Sequence, residues 1–242
     1  MKSIKRRLSL WLNSGTISDR KVFRKVAELS GTDENIVVPV KTGADIIDIL
    51  TRQDKNSIDH VLIAAHGGTT WLLNPRNGIV NHAKTDNQVD VSELAKVIDI
   101  ASKDSVLVSL AACLCSRSPS WYLRLTRSFG SDWGPRGYKK GGRKSFSGKL
   151  RDYLFYYGSS ARVRDHRVSK HSSNCAILAE HSEPPYTPCE TLFQRALPGV
   201  IPSLRVRRWW VKNVTGEIAQ KWLLGDDSVE RLISDLYYEN CE

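Results

Sequence analysis

The sequence contains no uninterrupted apolar run approaching the roughly 18–20 residues that a membrane-spanning helix requires. Its start carries a basic cluster, Lys5-Arg6-Arg7, but the apolar stretch over residues 8–12 is too short for the core of a signal peptide. Cysteine is scarce: five residues, an odd number at irregular spacing, do not make a disulfide framework. These absences argue against a secreted, disulfide-stapled or membrane-spanning protein, so the expected setting is cytoplasmic, with reduced thiols. Acidic residues are nearly missing from one region. Between Arg117 and Lys170 stand 14 Lys and Arg but only three acids, Asp132, Asp152 and Asp165. That segment carries +11, whereas residues 1–116 carry +2 and residues 171–242 carry −3, so it accounts for the chain's net +10. Such a block attracts nucleic acid, anionic lipid or an acidic peptide; it also fits a solvated loop and helix face.

The sequence is rich enough in apolar residues to fold. With 242 residues, 40% hydrophobic, and seven Trp, it can bury the core of one domain with a small appendage. The first 116 residues alternate β-like runs with amphipathic stretches. Residues 8–12 read as a short strand. Val22, Phe23, Val26, Ala27 and Leu29 then fall at helical spacing, with Gly31 able to end the helix. Residues 36–40 read as a buried strand, and residues 43–50 as a helix with Ile46, Ile47 and Leu50 on one face. Residues 60–65 form a second apolar run, closed by His66-Gly67-Gly68. Residues 71–73 and 78–80, around Asn74-Pro75-Arg76-Asn77, predict a hairpin. Residues 92–100 predict a helix, and residues 105–112 a third apolar strand, closed by Cys113. This rhythm predicts βαβ units and a parallel sheet covered on both faces. In such sheets functional groups gather beyond the carboxyl ends of the strands, where His66 and Cys113 both stand.

Beyond Cys113 the pattern loosens. Residues 128–147, rich in Gly, Lys and Arg, read as a long exposed loop. A helix over 146–157 with a stop at Gly158, and strands near 161–164 and 175–179, follow. Pro184, Pro185 and Pro188 mark a break. The expected division is a domain over 1–183, carrying a basic loop at 127–148, with an extension over 184–242 packed on it. Within the extension, the alternation in RVRRWWV (205–211) reads as a strand; its charge and indoles also suit nucleic acid. Residues 228–238 read as a closing helix. His166, His171, Cys175 and His181 are zinc-ligand types, but they lack tight paired spacing, so no metal is expected. Cys189 and Cys241 read as structural.

A thiol attacks a carbonyl only as its thiolate, so a catalytic cysteine needs a nearby base and donors for the anion that forms. His66 can supply the base. The amides around Gly67 and Cys113 can supply the donors. The stretch from His66 to Cys113, a separation of 47, holds a hairpin and one helix, which makes their strands plausible sheet neighbours.

The runs HVLIAAHGG (60–68) and VLVSLAAC (106–113) resemble the caspase–haemoglobinase group of cysteine peptidases: caspases, metacaspases, legumain, separase, gingipain and bacterial CHAT proteins. The shared pattern is an apolar strand ending in His-Gly and a second ending in Ala-Cys, with His about 50 residues upstream in caspases. Caspases place Gln before Ala-Cys and Arg-Gly after it; here Ala111 precedes and Leu114-Cys115-Ser116 follow, nearer the looser CHAT-like pattern. The resemblance implies a three-layer α/β/α sandwich with a mainly parallel, caspase-like sheet. It makes His66 the general base, Gly67 the oxyanion-hole glycine and Cys113 the nucleophile, whose own amide also faces the oxyanion, with no obligatory acidic third member. Gly68 and Ser116 are expected against the substrate, and Cys115 is the rival nucleophile. Residues 127–144 would form a specificity loop or a processing site, their charge favouring acidic peptides. The substrate would be a polypeptide, with no cofactor or metal required. An acidic protein partner is expected ahead of nucleic acid. Two alternatives stand beside this: a basic, non-proteolytic binding module on the same scaffold, and a hydrolase of another amide, such as a cell-wall peptide.

Overall fold

The computed structural model describes residues 5–29, 34–112, 115, 145–166, 178–181 and 190–241. The first βαβ units follow the sequence pattern closely: β1 (Arg6–Leu12), α1 (Ile17–Glu28), β2 (Glu34–Val40), α2 (Gly43–Thr51) and β3 (Ile58–Ala64). Three two-residue strands come next, β4 (Trp71–Leu72), β5 (Ile79–Val80) and β6 (Val89–Asp90), then α3 (Val91–Ala101) and β7 (Ser102–Ala111). The chain continues with α4 (Phe146–Tyr156), β8 (Arg162–His166), β9 (Leu178–His181) and β10 (Glu190–Thr191). It closes with α5 (Leu192–Ala196), α6 (Leu204–Asn213), α7 (Gly216–Leu223) and α8 (Ser228–Cys241).

The central sheet has the order β10-β9-β8-β7-β3-β1-β2. From β2 to β8 all neighbours are parallel; β9 is antiparallel to β8, and β10 to β9. β4 and β5 form the expected hairpin, extended by β6 into a separate small sheet. The protein is therefore α/β, with a mainly parallel sheet between two helical layers. Side chains alternate across the strands. Leu8, Leu10, Val61, Ile63, Val108, Leu110 and Val163 are buried on one face, against the layer formed by α2, α3 and α4. The registers Ser9↔Leu62, Leu62↔Ser109 and Ser109↔Arg164 define the other face. Asn35 ties α1 to that face: it accepts from Ser9 Oγ (2.6 Å) and donates to the Ala27 carbonyl (3.0 Å). α7 is tied there by Ser109, whose hydroxyl donates to the Leu223 carbonyl.

Two expectations need correction. Residues 36–40 do not form a buried strand: β2 is the sheet's edge and mostly half-buried, which is also where Pro39, lacking an N–H, is tolerated. Residues 205–211 are not a strand but lie in helix α6. Ser203 caps it by accepting from Val206 N, and Val206, Trp210 and Val214 recur every four residues along the buried side. The Arg-Val-Arg alternation spans too few residues to compete with that stripe. One apolar core runs from the sheet strands through Leu192, Phe193, Trp210, Trp222 and Ile233 of the C-terminal helices. The Gly31 helix stop, residues 127–144 of the basic loop, Cys175 at the start of the expected last strand and the proline break lie outside the described residues; residues 145–148, also expected in that exposed loop, are instead buried, with Ser145 capping α4.

The face under α1 and α7 is unusually polar. His60 Nε2 lies 2.8 Å from Ser109 Oγ. Because the single Ser109 proton goes to Leu223, the hydroxyl oxygen accepts from His60 Nε2–H, which fixes the tautomer. Burial above all, then the nearby Arg7 guanidinium, holds the His60 imidazole well below 6.5. His60 thus folds neutral. Below pH 6.5 the unfolded chain takes up a proton that the folded one refuses, so stability falls with acidification, by up to about 1.4 kcal/mol per pH unit. We expect urea midpoints to drop between pH 7.5 and 5.5 (roughly one pH unit of effect), and His60→Gln to flatten that drop. An equal drop in His60→Gln would show that other groups carry it.

Candidate active site

In open α/β sheets, ligands bind beyond the carboxyl ends of the strands, where successive connections leave in opposite directions. Here that switch lies between β1 and β3. β1 connects outward to β2 through α1, whereas β3 connects the other way, to β7. His66 stands two residues past Ala64, the last residue of β3. Its side chain is 44% exposed and open to a ligand.

Several elements hold this histidine. Its carbonyl accepts from Leu73 N at 2.9 Å, because the β4–β5 excursion folds back over the turn and bridges Gly67 to Leu72. Leu73 adopts φ +74°, the left-handed region that disfavours a branched side chain, so backbone strain is spent where the histidine is anchored. On the α1 side, the Phe23 ring meets the imidazole edge-to-face at 4.9 Å. His66 Nε2 lies 3.5 Å from Asp19 Oδ2. Asp19 is itself fixed at the helix start: the Thr16 hydroxyl donates to its carboxylate at 2.8 Å and accepts from its N–H at 3.1 Å. The Thr16 hydrogen bond, with the His66 ring adding to it, keeps the Asp19 carboxyl below its ordinary range. Gly15, φ +85°, carries the chain into this corner; a Cβ there would sit 3.5 Å from Asp19 Oδ2.

Asp19 is the neighbour of His66 that sequence reasoning missed. Its spacing, three residues after Thr16 behind a strand, is fully explained by helix capping, so nothing singled it out. The signal that could have found it is the switch-point rule, which brings the start of α1 beside the tip of β3.

The remaining site residues divide between described and undescribed positions. Gly67 N–H makes no hydrogen bond among the described residues, whereas Gly68 N–H donates to the Trp71 carbonyl at 2.9 Å. Gly68 is buried beneath the Trp71 indole, which a Cβ at that position would meet at 2.4 Å. Cys113 and Ser116 lie outside the described residues, as do His171, Cys175 and Cys189. Cys115 is fully buried, and its carbonyl accepts from Ser147 N at 3.1 Å. Phe146 N donates to the Thr69 carbonyl at 3.0 Å. The chain therefore leaves toward its basic segment and returns from it at one place, beside the His66 turn. His181 Nε2 lies 3.9 Å from Asp165 Oδ2 on the neighbouring strand, and no group of three or more metal-ligand side chains occurs among the described residues. None of the described helices is long and apolar enough to cross a membrane.

Comparison of the chain with protein-family models, curated proteins and solved structures gives no match.

Proposed function

We propose that this protein is a caspase-like cysteine endopeptidase acting through Cys113 and His66. The observation that carries the reading is a register. β3 and β7 are parallel neighbours with Ala64 opposite Ala111; His66 follows Ala64 by two residues in sequence, as Cys113 follows Ala111. An imidazole at the switch point, half exposed and braced by Phe23 and Asp19, suits a base that must meet both a thiol and an incoming substrate. In this mechanism His66 takes the Cys113 thiol proton, and the thiolate sulfur bonds to the scissile carbonyl carbon. The carbonyl oxygen becomes an oxyanion facing the N–H groups of Gly67 and Cys113. The tetrahedral species collapses, the C–N bond breaks, and the proton passes from His66 to the leaving amine. Water then hydrolyses the thioester. With Nε2 turned to Asp19, Nδ1 is the nitrogen that moves the proton. Cys115 is a poor rival, because its full burial keeps a substrate from its sulfur.

The basic segment starts and ends beside this site, which supports its role in choosing a polypeptide substrate, with its charge favouring acidic sequences. A peptide-bearing acyloxymethyl ketone provides the test, read by mass spectrometry of the intact chain. It should add one label to the wild type, mapped to Cys113, and none to Cys113→Ala, while circular dichroism stays unchanged. Equal labelling of Cys113→Ala would overturn the assignment. An unlabelled wild type with strongly salt-dependent polyanion affinity, unaffected by Cys113→Ala, would favour the binding module.

A further inference from the structure

The run RVRRWWV is helical, which gives it an outer surface that a strand would not present. We propose that α6, with the turn before it, is a peripheral docking face for an anionic lipid bilayer. From Ala196 to Thr215 the chain has four cations, Arg205, Arg207, Arg208 and Lys212, and no acid. Val206 and Trp210 fill the inward side of the helix. The outward side combines two features. Ile201, in the turn, is 81% exposed, Leu204 65% and Val211 54%, although each is a large aliphatic residue. Arg205, Arg208 and Lys212 lie beside them, exposed and in no ion pair with a described carboxylate. At 100° per residue, Leu204 and Val211 occupy one strip, flanked on one side by the exposed Arg208, Lys212 and Arg205; Arg207, on the other side, is half-buried and donates to the Pro202 carbonyl at 2.7 Å.

Aliphatic side chains at the crest with exposed cations along one flank match a headgroup layer. The aliphatics enter the acyl boundary while the long basic stems reach back to the lipid phosphates and carboxylates. The charge is complementary to an anionic leaflet, and Gly199, φ +80°, turns the chain so that Ile201 leads. Nucleic acid fits less well. A phosphate backbone has no use for three exposed aliphatic side chains, and Trp209 is not presented for base stacking: it is half-buried, with its ring edge-to-face with Tyr237 at 5.0 Å.

The experiment is sedimentation of the full chain with vesicles of phosphatidylcholine alone or with about one third phosphatidylserine. The wild type should sediment with the anionic vesicles only. Arg205→Glu/Arg208→Glu/Lys212→Glu should lower the partition coefficient about a hundredfold or more, each cation contributing roughly fivefold. Ile201→Ser/Leu204→Ser should lower it about tenfold without changing its salt dependence. These positions are exposed, so unfolding midpoints should match the wild type, which separates lost docking from lost fold. Three results would overturn the proposal. One is failure of the wild type to sediment with anionic vesicles. Another is unchanged sedimentation of both variants, which would place the binding elsewhere, such as the 117–144 segment. The third is loss on charge reversal alone, with heparin binding lost in parallel, which would make α6 a general polyanion site.

Discussion

His66→Ala is expected to lower kcat for peptide hydrolysis by about 10²–10⁴-fold, the range that general acid–base catalysis supplies. The substitution should leave the fold intact, because the side chain is half exposed and outside the apolar core. If the proposed dyad operates, Asp19 would act through His66, which calls for a subtler test. Its carboxylate is solvated and 3.5 Å from Nε2, so the pair resembles an exposed ion pair rather than a buried triad. Asp19→Asn should lower kcat by up to about fivefold with KM unchanged, and the difference from wild type should shrink at high salt. A purely structural role at the start of α1 would instead lower the unfolding midpoint and leave kcat untouched. Full activity in His66→Ala would end the assignment of His66 as the general base whatever Asp19 does.

The largest stability effect is expected from Arg164→Met. Arg164 on β8 is fully buried, and its Nε donates to Glu180 on β9 at 2.5 Å. Its terminal nitrogens donate to the Trp222 carbonyl of α7 and to Asp227, and its guanidinium lies over the Trp222 ring at 4.2 Å. Arg195 of α5 joins the cluster, 3.2 Å from Glu180 and 2.7 Å from Glu230, while Trp222 Nε1 donates to Glu230 at 2.8 Å. One set of charges thus links two strands and three helices. Removing Arg164 leaves the buried Glu180 with Arg195 at 3.2 Å and Arg162 at 3.8 Å, so the loss should be at or below the roughly 3–5 kcal/mol of a fully stranded buried charge. Urea unfolding measures this directly. Adding Glu180→Met to Arg164→Met should recover part of the loss, since the stranded carboxylate is then gone. A double variant no more stable than the single one would mean that packing, not charge, dominates at this site.

The sheet was readable because β1, β3 and β7 are covered on both faces and are therefore nearly continuous apolar runs, each ended by a residue of a different type. α1, α2 and α3 were readable from their spacing, and the β4–β5 hairpin from Asn74-Pro75. The misreadings have local causes. β2 looks like an interior strand because Ile36, Val37, Val38 and Val40 are β-formers whether or not a neighbour covers them; Pro39 was the cue to the edge. α6 was hidden because Arg205-Val206-Arg207 alternates over the very residues where the Val206–Trp210–Val214 stripe begins. The polar face was hidden for a deeper reason. His60, Ser109 and Arg164 sit in separate strands, and only sheet register makes them neighbours. Asp19 was obscured by its second role, since a capping acid needs no further explanation.

The bond from Ser109 to Leu223 spans 114 residues, and it has a consequence for how the protein is made. The strands that position the histidine are translated in the first half of the chain. Their polar flank is closed in part by α7, which is made far downstream. A nascent chain stalled before α7 would keep His60, Ser109 and Arg164 wet, and the central strands would lack the cover that makes them rigid. Order around the strands that carry the His66 turn then depends on residues far downstream of them.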